Sequence, residues 1–290
     1  MPELPEVETI KLGLQKKIVG LTIKKIEVLS PKSFNGDVRE VEGKKVLDVW
    51  RRGKVLGIDL SSVTLLFHLK MTGQLIYIPN DIRLTANDKR FIGGHPTPDM
   101  VGKMPNSHTR VIFEFSDGSY LYFNDQRRFG WIMVREKGEA ERVKFLQKLG
   151  PEPLQKGFSW QILKLNLSKH PKTPIKVVLM DQSVVAGLGN IYASEACFDA
   201  KIDPRIKVKD LTDNQFQSLH RGVIKSLRYG IKYGGSTKTH FVDADGHKGY
   251  FLDYAYCYGR DKHPCKVCKT EIKKITLVGR GTYFCPRCQS

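Results

Sequence analysis

Apolar residues at Leu4, Val7, Ile10, Leu14 and Ile18 recur at the three- and four-residue spacing of one helix face, so an amphipathic helix is expected over residues 3–19. Pro5 suits that helix only in its first turn, where a missing N–H is no loss. Glu3, Glu6 and Glu8 fall near the positive end of its dipole. The period then changes. The runs "LTIKKIEVL", "KKVLDVWRR", "KVLGIDL", "VTLLFHLKM", "RVIFEFSDG" and "SYLYFND" have strand length and strand composition. With a turn at Asp117-Gly118 they predict antiparallel sheets, arranged as a sandwich. The polar stretch between Ile78 and Arg110, with Gly93-Gly94 and several prolines, reads as a long exposed loop.

"LGPEPLQ" (149–155) reads as a linker, after which the pattern is mostly helical: "WQILKLNL", "TPIKVVLMD", "NIYASEACFDA" and "TDNQFQSLHRGVIKSLRYGIKYG". "GGSTKTHFVDADGHKGYF" is glycine-rich and irregular, and the tail from 257 carries paired cysteines. An α+β multidomain chain is expected, divided at 1–150, 151–256 and 257–290.

The length of 290 residues allows two ordinary domains, and 40% apolar content is normal for a globular protein. No run approaches the roughly 18 apolar residues that span a bilayer. The acidic start resembles neither a secretory signal nor a transit peptide, so an intracellular, cytoplasmic protein is expected. Charge narrows the class further. The chain carries 48 Lys and Arg against 30 Asp and Glu, a net +18. The excess is uneven: residues 1–152 hold 25 basic and 19 acidic groups, residues 153–290 hold 23 and 11. Nucleic acid is the expected partner, ahead of an anionic membrane surface. A merely soluble basic protein is the plain alternative.

Cys265 and Cys268, then Cys285 and Cys288, form two C-x-x-C pairs sixteen residues apart. Each pair can turn two thiolates toward one centre, and together they complete a tetrahedral shell for one structural Zn²⁺. The β-branched and glycine residues between them suit a hairpin, hence a zinc ribbon or finger. Cys197 and Cys257 are left over and read as buried thiols. "VGRGTYF" would present Arg280 at the hairpin tip, where a guanidinium can fork onto phosphate or simply be solvated.

"MPELPEVE", "RRGK", "HLKMTGQL", "NDQRRFGW", "GLGNIYASEA", "GGST", "DGHKGYF" and "GRGTYFCPRCQ", in that order over nearly the whole chain, resemble the formamidopyrimidine-DNA glycosylase (Fpg, MutM) family. The resemblance implies an N-terminal β-sandwich with flanking helices, a helix–two-turns–helix DNA-binding unit and a zinc finger, with DNA in the cleft between domains. It also implies excision of oxidised purines, chiefly 8-oxoguanine and formamidopyrimidines, from double-stranded DNA. Strand cleavage at the abasic site follows. A nucleoid-associated monomer is expected.

On that resemblance Pro2 is the nucleophile once Met1 is removed. A terminal amine, titrating near 8 rather than the ~10.4 of lysine, is more available as free base. Glu3 is implied as general acid on the sugar ring oxygen. Glu6 either positions water or lesion, or serves the helix start. Lys54 matches a second catalytic amine and phosphate ligand, and Arg280 a phosphate-gripping arginine that assists δ-elimination. His108, Arg127, Lys172 and Asn190, with His68 and Tyr250, are implied phosphate contacts, although Asn190 alone would read as a helix cap. Met71, Arg127 and Phe129 match the residues that fill the gap left by an extruded nucleotide; on their own Met71 and Phe129 would read as core.

The sequence departs from the family pattern at Gln126, where proline is common, at Arg110, where many relatives have histidine, and at Cys257. The stretch of about 80–107 looks roughly twenty residues longer than usual. Two other readings stay open. One is an endonuclease VIII-type glycosylase acting on oxidised pyrimidines. The other is a non-catalytic DNA-binding zinc-finger protein.

Overall fold

The computed structural model describes residues 1–80, 90–94, 102–236 and 250–290. The chain divides into two compact units, Met1–Gln147 with Gly234–Tyr250, and Lys148–Tyr233 with Phe251–Ser290.

The first unit opens with α1 (Leu4–Ile18), whose buried face is the expected Leu4, Val7, Ile10, Leu14 and Ile18 stripe. Its strands are β1 (Ile23–Val28), β2 (Phe34–Asn35), β3 (Val46–Arg52), β4 (Val55–Leu60), β5 (Val63–His68), β6 (Gly73–Ile78), β7 (Phe91–Gly94), β8 (Thr109–Phe115), β9 (Tyr120–Asp125) and β10 (Trp131–Glu136). They form two five-stranded sheets, ordered β1-β8-β9-β6-β7 and β2-β10-β5-β4-β3. Pairing is antiparallel except between the two-residue β2 and β10. Phe67 from one sheet meets Phe113 and Phe123 from the other, with ring centroids 5.9 and 6.5 Å apart. The core therefore lies between the sheets, as in a sandwich.

Two strand expectations need correction. Gly73–Ile78 and Trp131–Glu136 are strands that the pattern left unassigned. The stretch read as one long exposed loop contains β7, which pairs with β6 and buries Phe91 at 8% exposure. Four residues, two of them glycines, are too few for a period, so tertiary pairing alone defines that strand. Residues 81–89 and 95–101 of the loop lie outside the described residues.

The second unit contains α3 (Trp160–Leu167), α4 (Ile175–Leu179), α5 (Asn190–Asp199), α6 (Asp213–Lys232) and α7 (Phe251–Tyr254), with α2 (Lys144–Gln147) ending the first unit. Thr212 and Gln215 cap α6 reciprocally: Thr212 Oγ1 accepts the Gln215 N–H at 3.3 Å, and Gln215 Oε1 accepts the Thr212 N–H at 2.9 Å. Gly222 lets α6 lie against α5, since a Cβ there would come within 2.6 Å of the Ala196 carbonyl oxygen. The tail forms a hairpin of β11 (Lys273–Leu277) and β12 (Arg280–Phe284). Val278 and Gly279 take positive φ, 46° and 70°, as a two-residue hairpin turn requires. Among the described residues, no helix is long and apolar enough to cross a membrane.

Candidate active site and nucleic-acid interface

Pro2 and Glu3 are buried just ahead of α1. The Glu3 N–H donates to Glu6 Oε2 at 2.7 Å, fixing the backbone at the helix entrance. Glu6 Oε1 accepts the Ser236 N–H at 2.7 Å, so one carboxylate holds two peptide groups. Of the two roles left open for Glu6, the helix-start role is thus observed in the geometry.

Lys54 sits in the β3–β4 turn, only 6% exposed. Arg51, near the end of β3, donates to Glu8 of α1 at 2.8 Å and to the Gly53 carbonyl at 3.1 Å, which ties this turn to the helix. Burial would raise the Glu8 carboxyl, but hydrogen bonds from Lys11 and Arg51 outweigh it, and the group lies below the usual carboxylate range. At the end of β5, His68 Nδ1 accepts the Lys70 N–H at 3.0 Å, which leaves the ring proton on Nε2. Burial, then the charges of Lys70 and Lys54, lower its pKa to about 3. The imidazole is neutral and keeps one N–H to donate.

The β5–β6 and β9–β10 turns meet through Asp125, which is fully buried. One of its oxygens accepts the Thr72 hydroxyl and the Arg127 N–H at 3.2 Å, and the other accepts the Gly130 N–H at 2.6 Å. The result is an exposed set. Met71 is 43% and Phe129 56% exposed, and the Arg127 guanidinium lies 4.9 Å from the Phe129 ring centroid. Neither Met71 nor Phe129 is a core residue. Arg110, buried, donates to the Asp125 carbonyl at 2.8 Å and the Ser107 carbonyl at 2.9 Å, bracketing half-buried His108. Tyr250, half-buried, ends the Gly234–Tyr250 segment of this unit.

In the second unit Lys172 is exposed in the turn before α4, and Asn190 is the first residue of α5. Asn190 Nδ2 donates to the Gly281 carbonyl at 3.0 Å, while its Oδ1 accepts from Lys176 Nζ at 2.5 Å. Asn190 therefore adjoins the hairpin that carries exposed Arg280. Glu195, the sixth residue of α5 and buried, accepts the N–H groups of Tyr256, Cys257 and Tyr258 at 2.8, 2.9 and 2.8 Å. Gln289 donates to the Ile202 carbonyl at 2.9 Å. These bonds anchor the cysteine module to the helices. Cys197 and Cys257 are both fully buried, and burial pushes the Cys197 thiol up to about 12.

The four remaining sulfurs lie within 4.8 Å of one another, with Cys265–Cys288 at 4.0 Å and Cys268–Cys285 at 3.4 Å. A tetrahedron of Zn–S bonds near 2.3 Å has edges of about 3.8 Å. The site fits one structural zinc ion held by Cys265, Cys268, Cys285 and Cys288.

Sequence reasoning missed Asp125, Lys176 and Glu195 as organisers. Asp125 preceded a turn, which was a usable signal. Lys176 and Glu195 lie inside helical runs where nothing sets them apart from solvated charges.

Residues 1–132 match the formamidopyrimidine-DNA glycosylase N-terminal domain, 149–242 its H2TH domain, and 262–290 the zinc finger found in FPG and IleRS. The chain is 39% identical to formamidopyrimidine-DNA glycosylase of Pelotomaculum thermopropionicum, covering 100% of this chain and 99% of that one. Wild-type Lactococcus lactis Fpg (MutM), solved with DNA containing N7-benzyl-Fapy-dG, superposes with a TM-score of 0.84 at 32% identity over 100% of both chains. The same enzyme solved with DNA containing an oxidised pyrimidine gives 0.83 and 33%, again over 100% of both. With all three domain models matched and full-length relatives above 30% identity, the chain belongs to the formamidopyrimidine-DNA glycosylase family.

Proposed function

We propose that this protein is a bifunctional DNA glycosylase and abasic-site lyase of base excision repair, acting on oxidised purines in double-stranded DNA. The carrying observation is the burial of two charge-bearing side chains, Glu3 at 3% and Lys54 at 6% exposure, on elements joined by the Glu8–Arg51 pair. Burying such groups is costly, and proteins concentrate that cost at functional sites.

The chemistry starts with removal of Met1, because Pro2 nitrogen is otherwise an amide. The free amine forms a bond to C1′, the glycosidic bond breaks, and the base leaves with the bonding pair and takes up a proton. Glu3 protonates the ring oxygen as the C1′–O bond opens, which leaves an iminium. Loss of a C2′ proton then expels the 3′-phosphate, and a second elimination expels the 5′-phosphate. Lys54 serves these proton transfers and holds phosphate. Arg280 grips a phosphate and assists the second elimination.

DNA is held by His68, His108, Arg127, Lys172, Asn190 and Tyr250, while Met71, Arg127 and Phe129 fill the vacated stack. The neutral His68 Nε2–H suits a phosphate oxygen. The zinc supplies folding energy for the hairpin. We take the working unit to be one chain, divided at about 150 and 256, located on cytoplasmic nucleoid DNA where this substrate lies.

Borohydride trapping tests the reading, since reduction of the iminium locks protein to lesion DNA. Met1-free protein should give a covalent adduct and Pro2→Gly should not; equal yields from both would overturn the mechanism. A second reading, preference for oxidised pyrimidines, draws on the relative solved with such DNA. Faster release of thymine glycol than of 8-oxoguanine would favour it.

A further inference from the structure

Lys176 is 1% exposed, yet its ammonium is a polar hub. It donates to Asn190 Oδ1 at 2.5 Å, Thr282 Oγ1 at 2.7 Å and the Gly281 carbonyl at 3.2 Å. An ammonium has three protons to donate, and these acceptors offer a site for each. The Thr282 hydroxyl, accepting from Lys176, sends its own proton to the Arg280 carbonyl at 3.2 Å. A continuous relay thus runs from α4 to the backbone of Arg280, with a branch to Asn190, whose amide donates to Gly281.

A half-open hollow of about 140 Å³, lined by Lys176, Val177, Met180, Leu277, Val278 and Arg280, lies beside these bonds, between the exposed hairpin tip and α4. Fewer atoms press on the tip there, so the hydrogen bonds carry a larger share of its restraint. The cysteine set fixes the other end of β12, starting at Cys285. The hairpin is consequently restrained at its metal end by sulfur ligation and at its arginine end by hydrogen bonds to a buried cation.

We propose that Lys176 is a positioning residue for Arg280. It acts through Thr282 and Gly281 and sets where the guanidinium meets a DNA phosphate. The inference rests on the reading of Arg280 above and deepens it. Lys176 touches no reacting atom. It restricts the hairpin tip, so its removal changes how often the second elimination follows the first.

The test uses full-length, zinc-loaded protein on a duplex with one abasic site. The ratio of δ- to β-elimination products is read for wild type, Lys176→Met, Thr282→Val, Arg280→Gln and the Lys176→Met/Arg280→Gln double variant. Because the ratio is internal to each product pool, it does not depend on the fraction of active enzyme. Zinc content is measured alongside. Lys176→Met and Thr282→Val should each lower the ratio, by about three- to tenfold for a lost hydrogen bond, with zinc at one per chain. The double variant should fall no further than Arg280→Gln alone, as expected for two residues acting in series. Thr282→Val is nearly isosteric, so it carries the test if Lys176→Met does not fold. A ratio unchanged in Lys176→Met and Thr282→Val while Arg280→Gln lowers it would refute the positioning role. So would a drop that coincides with zinc loss, or additive losses in the double variant. An unchanged ratio in Arg280→Gln would instead refute the reading of Arg280 itself.

Discussion

Glu6 accepts the backbone N–H of Ser236 at 2.7 Å, joining the first turn of α1 to a peptide 230 positions further along the chain. The approach requires Gly235, which has φ of +88° and leaves no room for a Cβ, since one would lie 2.9 Å from Glu6 Cγ. The same carboxylate holds the Glu3 N–H. The acidic start of this basic protein therefore has a structural task beside any chemical one.

Glu6→Gln should lower stability by about 1–3 kcal/mol, because an amide has one oxygen and cannot accept both buried N–H groups. Urea unfolding would show it as a lower midpoint at unchanged slope. Adduct yield in borohydride trapping should fall as well, since the Glu3 backbone also sets Pro2. An unchanged midpoint would show that the two bonds contribute nothing net.

Asp125→Asn should loosen the turn that presents Arg127 and Phe129. The carboxylate takes the Thr72 hydroxyl on one oxygen and the Gly130 N–H on the other, and an amide NH2 would face one of those donors. A loss of about 1–3 kcal/mol is expected, with weaker binding to a duplex carrying an abasic-site analogue. Wild-type affinity in this variant would contradict the proposed presentation of that turn.

His68 links pH to stability. Its folded pKa, about 3, lies below the unfolded value near 6.5. The unfolded chain thus binds a proton that the folded chain refuses, and this contribution to stability is present above pH 6.5. It is lost progressively as pH falls from 6.5 toward 3, at a limiting slope of about 1.4 kcal/mol per pH unit. His68→Gln should flatten the decline in urea midpoint between pH 7 and 5. The His68 ring resonances in NMR spectra should not titrate over that range; a midpoint near 6.5 would exclude the buried neutral form.

Removing zinc should separate folding of the tail from folding of the sandwich. Cys265→Ser, or treatment with a strong chelator, should melt the β11–β12 hairpin and reduce lesion-duplex affinity about tenfold or more, the scale of a lost charge-assisted contact. The sandwich transition should stay in place. Full retention of affinity in metal-free protein would refute a role for the finger in holding DNA.

The helix over residues 3–19, the six strand runs and the zinc shell were legible because each depends on local spacing. A 3.6-residue period, a run of strand-forming residues and a two-residue cysteine spacing act over a few residues. Gly73–Ile78 and Trp131–Glu136 escaped because a six-residue, mostly apolar run has no period that separates a strand from a buried helical segment. Phe91–Gly94 escaped because it is a strand only by pairing with Gly73–Ile78. Among site residues, the quoted motifs carried Pro2, Glu3, Lys54 and Arg280, but not what holds them.

The sequence by itself determined the family, the metal ligands and the residue types at the proposed reaction centre, since those reside in short ordered motifs. Only the tertiary structure decided that Met71 and Phe129 project outward and that His68 is neutral. It also decided that Asp125 ties the β5–β6 and β9–β10 turns together, and that Glu195 and Lys176 bond to the cysteine module and the hairpin. Lys176 meets Gly281 and Thr282 across 105 and 106 residues of chain. No local pattern can encode such a bond. Whether a lysine is a solvated surface charge or a buried hub is set by the desolvation and the acceptors that folding brings to it.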